Sequence, residues 1–281
     1  MRKKNNRRYV RLTIMDLTYG GEVTRNENSE WSGKLTGPDG KSVELLGEMS
    51  GYGILKIGIV RAPDDFVYAG EFSGGKPHGW GGLASTKYGF VYEGNWKAGE
   101  CDGYGELTDE DDNVYRGHWK AGEYDGYGEL IEEDGDRYRG HWKGGELDGY
   151  GELLGEGGDS YRGHWRDGKR YGYGELIEED GSLYRGYWKD GEYDGYGELV
   201  EGDGDRYRGH WKGGELNGYG ELLGEGGDSY RGHWKDGEYD GYGELTDEDG
   251  NVVKGYFSEG PVLRSGEHEY LEMATFPTNS Y

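Results

Sequence analysis

The chain has 281 residues of which 60 are glycine and only 32% are hydrophobic, which excludes an ordinary globular core, while 27 tyrosines and 9 tryptophans exclude a disordered polymer. A net charge of −25 disfavours nucleic acid or an anionic bilayer as main partner and reads either as plain solubility or as a preference for basic partners. Cys101 is the only cysteine, so an internal disulfide is excluded.

In chain order, the first segment, 1–18, is basic. Arg2, Lys3, Lys4, Arg7, Arg8 and Arg11 precede the first acid, Asp16, and read as a targeting signal, a nucleic-acid-binding arm or a solvated tail. The alternation from Tyr9 to Leu17 predicts one strand that caps a sheet edge. Residues 19–67 carry eroded repeats, with Trp31 to Leu35 as a first strand, a turn at Pro38-Asp39-Gly40, and the glycine spacing Gly47, Gly51, Gly53 as a second.

Regular repeats fill 68–260. They open at Tyr68 and Tyr92 and then every 23 residues, at Tyr115, Tyr138, Tyr161, Tyr184, Tyr207 and Tyr230, with a partial ninth at Val253. Residues 138–160 and 207–229 differ only at Asp148 versus Asn217, as expected of recently duplicated three-repeat blocks, a pattern that would suit a viral or protist gene. Pro261 breaks the pattern, and 261–281 reads as a C-terminal cap with a short helix near Glu267 to Met273.

Each repeat holds two alternating runs around a glycine-containing two-residue turn, the pattern of a β-hairpin. Pairing outward from that turn sets Lys143 opposite Glu146, His141 opposite Asp148, Gly140 opposite Gly149 and Arg139 opposite Tyr150. The next pairing sets Leu153 opposite Tyr161 and Glu152 opposite Arg162. The predicted fold is all-β: one elongated single-layer antiparallel sheet of stacked hairpins, two strands per repeat. Tyr138, Trp142, Leu147 and Leu153 share a core face with bare glycines, and Arg139, His141, Lys143, Glu146, Asp148, Tyr150 and Glu152 share the outer face.

These residues resemble the MORN (membrane occupation and recognition nexus) repeat, whose pattern is Tyr-x-Gly-x-Trp, a glycine, then Gly-x-Gly and a glycine-containing loop. The resemblance covers 68–260. It implies a rod of hairpins, dimers, and partner recruitment at cytoskeletal or membrane-associated structures. Some proteins with such repeats add a catalytic domain, as in a lysine methyltransferase and plant phosphatidylinositol-phosphate kinases; here repeats and caps consume the chain.

Four candidate features stand out. His118, His141, His164, His210 and His233 share one repeat position, but neighbouring copies lie about 10 Å apart, too far to share a metal, and each is expected to face Asp125, Asp148, Tyr171, Asn217 or Asp240. The acidic loops, such as Asp109 to Asp112, offer calcium-type oxygens without the EF-hand pattern, and hairpin-turn chemistry accounts for them. One repeat carries Arg166 facing Lys169, followed by Arg170 and Tyr171, a positive island that reads as a contact for an acidic partner or as surface drift. Lastly Tyr104, Tyr127, Tyr150, Tyr173, Tyr196, Tyr219 and Tyr242 form an outward ladder beside arginines, which reads equally as a recognition surface or as cross-strand arginine stacking with no partner.

No catalytic constellation, metal set or cofactor motif breaks the periodicity, and with no signal peptide or apolar span in view a soluble cytoplasmic protein is expected. The leading expectation is a non-catalytic scaffold or adaptor that binds other proteins and forms a homodimer through a sheet end. The alternatives are a peripheral phospholipid binder, which the charge opposes, and a nucleus-directed regulator, acting in a host cell if virus-encoded, that engages basic proteins through its acidic loops.

Overall fold

A computed structural model describes residues 7–50 and 54–258. Arg2, Lys3, Lys4, Gly51, Gly53 and the expected C-terminal cap and helix lie outside them. Every element among the described residues is a strand, and the strands make one 22-stranded sheet in which neighbours in sequence pair antiparallel.

The chain divides into two compact units. In the first, β1 (Arg7–Ile14), β2 (Leu17–Arg25), β3 (Trp31–Thr36), β4 (Ser42–Met49) and β5 (Leu55–Ala62) precede the regular repeats. These begin with β6 (Phe66–Ser73), β7 (Lys76–Ser85), β8 (Phe90–Lys97), β9 (Glu100–Thr108), β10 (Val114–Lys120) and β11 (Glu123–Ile131). The strand expected over Tyr9 to Leu17 is instead a hairpin. Met15 and Asp16 both take positive φ, 49° and 60°, so Leu17 starts β2. The residues at a two-residue turn must twist that way, and methionine gives no sequence sign of it. Thr13 N donates to Gly75 O at 2.7 Å, so the free side of β1 is held against the β6–β7 turn.

The second unit holds β12 (Arg137–Lys143), β13 (Glu146–Leu154), β14 (Ser160–Arg166), β15 (Lys169–Ile177), β16 (Leu183–Lys189) and β17 (Glu192–Val200). It continues with β18 (Arg206–Lys212), β19 (Glu215–Leu223), β20 (Ser229–Lys235), β21 (Glu238–Thr246) and β22 (Val252–Phe257). Between repeats the register matches the sequence reading: Leu153 pairs Tyr161 and Glu152 pairs Arg162.

Within the hairpins of the regular repeats the register differs from the expectation. Gly163 pairs Gly174, Gly186 pairs Gly197 and Gly209 pairs Gly220, two residues beyond the positions equivalent to the expected Gly140–Gly149 pair. Lysine and glutamate at the turn do pair, as Lys189 with Glu192. The two extra residues form a β-bulge, and its glycine takes positive φ, 108° at Gly195 and 105° at Gly218. Uninterrupted alternation could not anticipate a bulge.

That bulge brings two bare glycines together beneath the core tyrosine. A Cβ on Gly174 would collide with the Tyr161 hydroxyl, and one on Gly163 would lie 2.6 Å from the Gly174 Cα. The Tyr161 ring therefore lies over the glycine pair, its O–H donating to His164 O at 3.1 Å. It meets Trp165 and Trp188 edge-on, with centroids 5.0 and 5.3 Å away. Burial of such a ring is worth about 1.5–3 kcal/mol, and the geometry recurs along the array.

Two further ladders tie repeat to repeat. At the turns, Gly168 N donates to Leu147 O at 3.0 Å, Gly191 N to Arg170 O at 3.1 Å and Gly237 N to Leu216 O at 3.0 Å. At the opposite ends of the strands, Asp136 Oδ1 accepts from Glu156 N at 3.0 Å and Asp205 Oδ1 accepts from Glu225 N at 2.9 Å. The acidic loops are thus partly structural: their carboxylates satisfy backbone donors of the next loop.

Candidate functional site

The strand alternation that buries tyrosine, tryptophan and leucine on one side turns the other side outward, and there every strand of the second unit from β13 to β22 contributes an aromatic ring to one row, with Tyr171 a further ring on β15. The rings come in edge-to-face pairs: Tyr150–His164 at 5.6 Å, Tyr173–Tyr187 at 5.7 Å, Tyr196–His210 at 5.6 Å, Tyr219–His233 at 5.7 Å and Tyr242–Tyr256 at 5.6 Å. The tyrosines Tyr150, Tyr173, Tyr196, Tyr219 and Tyr242 remain 45–54% exposed, and Tyr127 of the first unit has the same position. Apart from Tyr171, the cross-strand partners expected for the histidines are not those observed. Each of His164, His210 and His233 faces the tyrosine of the preceding strand through the between-repeat register, while on the following strand the bulge carries Asn217 and Asp240 out of register with His210 and His233. The Nδ1 of His164 bonds to Tyr173 O at 3.2 Å, and since a carbonyl only accepts, that nitrogen carries the proton. Tyr187 and Tyr256 stand where other repeats have histidine; sequence reasoning passed over them, although the repeat position was the available signal.

Beside the row runs a line of ion pairs: Arg162–Glu152 at 2.7 Å, Arg185–Glu175 at 2.6 Å, Arg231–Glu221 at 2.8 Å and Lys254–Glu244 at 3.0 Å. The glutamate holds the Arg185 guanidinium above its ordinary pKa, chiefly through the hydrogen bond. Two arginines also reach the row, with Arg208 Nε donating to the Tyr196 hydroxyl at 2.6 Å and Arg231 Nε to that of Tyr219 at 2.8 Å.

The positive island is split between the two faces. Arg166 and Lys169 pair across the turn on the outside, and the Arg166 guanidinium lies 3.6 Å from the Tyr171 ring centre. Arg170 is instead buried on the core face opposite Trp165, 5.1 Å from the ring centres of Tyr161 and Trp188. Alternation forces it there, since it fills the position held by Leu147 and Leu216. It is therefore no part of an exposed contact.

Of the basic run, Arg7, Arg8 and Arg11 are exposed on β1 and thus belong to a paired strand rather than a tail; Arg7 comes within 3.9 Å of Glu22. The outer face of the eroded repeats holds an apolar patch that sequence reading missed, in which Leu46, Ile57 and Ile59 are each more than two-fifths exposed. A shallow hollow there is lined by Ser32, Lys34, Glu44, Leu46, Ile59 and Arg61.

Carboxylates of Glu201, Asp203 and Asp205 converge within 4.8 Å of one another. Asp203 accepts from Asp205 N at 3.2 Å, and the Tyr207 hydroxyl lies 3.4 Å from both Glu201 and Asp205. Tyr207 thus departs from its siblings, reaching the acidic loop instead of the glycine pair, and its pKa is raised by burial and then by these acids. Cys101 is unsuited to thiolate chemistry, because burial pushes its pKa up to about 12.

The family model for the MORN repeat matches residues 68–81, 92–114, 115–137, 138–160, 161–182, 184–206, 207–229 and 230–252, more than half of the chain. Among curated proteins no sequence matches. Among solved structures, the chain is similar to the SAS-4 (dCPAP) TCP domain of Drosophila melanogaster, solved in complex with a proline-rich motif of Ana2 (dSTIL). That likeness has a TM-score of 0.34 and 10% identity, over 55% of this chain and 84% of that one. At that score the likeness carries no argument about this chain. The hairpin array and the eight matched repeats together establish that this chain belongs to the MORN repeat family.

Proposed function

We propose that the chain is a non-catalytic scaffold whose outer face recruits protein partners and whose open sheet end joins a second copy. The observation that carries recruitment is the row of half-exposed tyrosines, rigid amphipathic rings of the kind that anchor protein interfaces, set among ion pairs that already satisfy one another. Capture from the native cell extract on immobilised protein tests it. Partners held by the wild type are expected to be lost from the Tyr173→Ser/Tyr196→Ser variant, and an unchanged set of captured proteins would refute the reading.

Self-association is supported by β22. It pairs only with β21 among the described residues, and Tyr256 on it is 87% exposed. Light scattering should give twice the chain mass; a monomer at high concentration removes that part of the proposal.

A second reading, peripheral phospholipid binding, is favoured by the apolar patch of Leu46, Ile57 and Ile59 near Lys34 and Arg61. It predicts co-sedimentation with anionic vesicles that is abolished by Ile57→Glu/Ile59→Glu. Vesicles that pellet equal amounts of both proteins, or none of either, exclude it.

A further inference from the structure

We infer that the outer aromatic row binds a proline-rich segment in the polyproline II conformation, with proline at every third position and basic residues between. This rests on the recruiting surface proposed above and names its ligand. The first argument is a period. Successive tyrosines on this face are two strands apart, about 9.4–9.8 Å at the usual strand spacing. A polyproline II helix makes one turn in three residues of about 3.1 Å each, about 9.3 Å. A ligand lying across the strands would therefore present the same side of its helix to each repeat. An α-helix matches poorly, since seven residues rise about 10.5 Å, and a β-strand repeats its side chains every 6.6–6.8 Å or about that.

Surface chemistry is the second argument. A polyproline II segment has no internal hydrogen bonds, so its carbonyls need outside donors. The Tyr196 and Tyr219 hydroxyl oxygens already accept from Arg208 and Arg231 at 2.6 and 2.8 Å, which leaves each O–H hydrogen to be donated outward. The pairs Tyr196–His210 and Tyr219–His233 meet edge to face, and the half-exposed tyrosines offer the proline ring an aromatic surface to pack on. Such a segment is also preorganised, so little order is lost on binding.

Charge is the third. The chain carries −25 overall, and Asp194 and Asp240 each stand one residue before the bulge glycine, with Asn217 at that position in the repeat between them. Basic residues in the ligand turns that meet Asp194 and Asp240 complement them. Because sheets twist by about 20–25° per strand, the row turns by about 40–50° per repeat, so a straight ligand meets adjacent pairs such as Tyr196–His210 and Tyr219–His233 rather than the whole row.

Fluorescence anisotropy with a labelled peptide of four Pro-Pro-Lys triplets tests the inference against a peptide of four Gly-Ser-Lys triplets, equal in length and charge. At about 0.15 M ionic strength the proline peptide should bind at least about tenfold more tightly. The Tyr196→Ser/Tyr219→Ser variant, with an unchanged melting curve, should weaken it about tenfold or more. Equal affinity of the two peptides, no binding of the proline peptide, or no effect of the variant overturns the inference. A random peptide library selected on both proteins separates this from the recruiting reading. Peptides held only by the wild type and carrying proline at three-residue spacing support both. Wild-type-only peptides without that spacing overturn the ligand assignment and leave recruitment standing; peptides held equally by both proteins, or none, overturn both.

Discussion

Gly163→Ala is expected to destabilise its part of the array by about 3–4 kcal/mol, whereas Gly255→Ala, at the same repeat position on β22, should stay within about 0.5 kcal/mol of the wild type. The difference follows from what each new methyl group would meet. At Gly163 the Cβ falls on the Tyr161 hydroxyl and 2.6 Å from the Gly174 Cα, and the second clash is with backbone. Moving Tyr161 relieves only the first, and it gives up a fully buried ring, two tryptophan contacts and the bond to His164 O. At Gly255 no atom lies within 4 Å, because β22 lacks the second strand of its hairpin among the described residues. Urea denaturation followed by tryptophan fluorescence measures both. Because neighbouring repeats stabilise one another, the loss should appear as a broadened or two-step transition. Equal effects at the two glycines would show that the collision does not govern stability.

The glycine pair also shows how far the sequence could be read. The 23-residue period, the hairpin, the two faces and the contact of Leu153 with Tyr161 all follow from alternation and turn chemistry. The pairing inside the hairpin does not, because two glycines two residues apart offer two registers. Which of them bulges depends on the room needed by the tyrosine ring, a property of the packed array rather than of the local segment. Met15-Asp16 is hidden for a related reason: Met15 carries no turn signal and Asp16 alone does not mark one inside an alternating run, so the hairpin there is imposed by the pairing of β1 with β2.

The same bulge decides what was legible of the surface. Tyr150 and its equivalents point outward in either register, so the ladder could be found by alternation alone. Their ring partners follow too, since the between-repeat register that sets Leu153 opposite Tyr161 also sets Tyr150 opposite His164. Counting from the turn instead sets His210 opposite Asn217 and His233 opposite Asp240, and on that side the bulge takes the expected partner out of register. Arg170 shows the opposite case, in which periodicity should overrule chemistry. Its repeat position belongs to leucine, and the guanidinium is accommodated on the core face between aromatic rings rather than exposed beside Arg166.

An aromatic core made of tyrosines should also be unusually sensitive to alkali. Burial raises the pKa of Tyr239 to about 12, and holds Tyr68, Tyr92, Tyr161 and Tyr184 higher still, against an ordinary value of 10.0. Below pH 10 both folded and unfolded chains keep these protons, and the stability is fully present. Above it the unfolded chain loses them while the folded one does not, so stability falls as pH rises towards the folded values. A gap of one unit corresponds to about 1.4 kcal/mol, and at about pH 11 a loss discounted for solvent screening to about 1 kcal/mol per ring amounts to about 2 kcal/mol in the first unit and about 3 kcal/mol in the second, a large share of the stability of a small domain. The β-sheet circular dichroism is therefore expected to collapse near pH 11, together with a step in tyrosinate absorbance from the core rings. Tyr161→Phe sharpens the test. It removes the bond to His164 O and should cost about 1 kcal/mol at neutral pH, yet it also removes one titrating group. Its disadvantage should thus shrink or reverse by about pH 11. Sheet dichroism that persists unchanged while the core tyrosines ionise would contradict the linkage between burial and stability on which the tyrosine core rests.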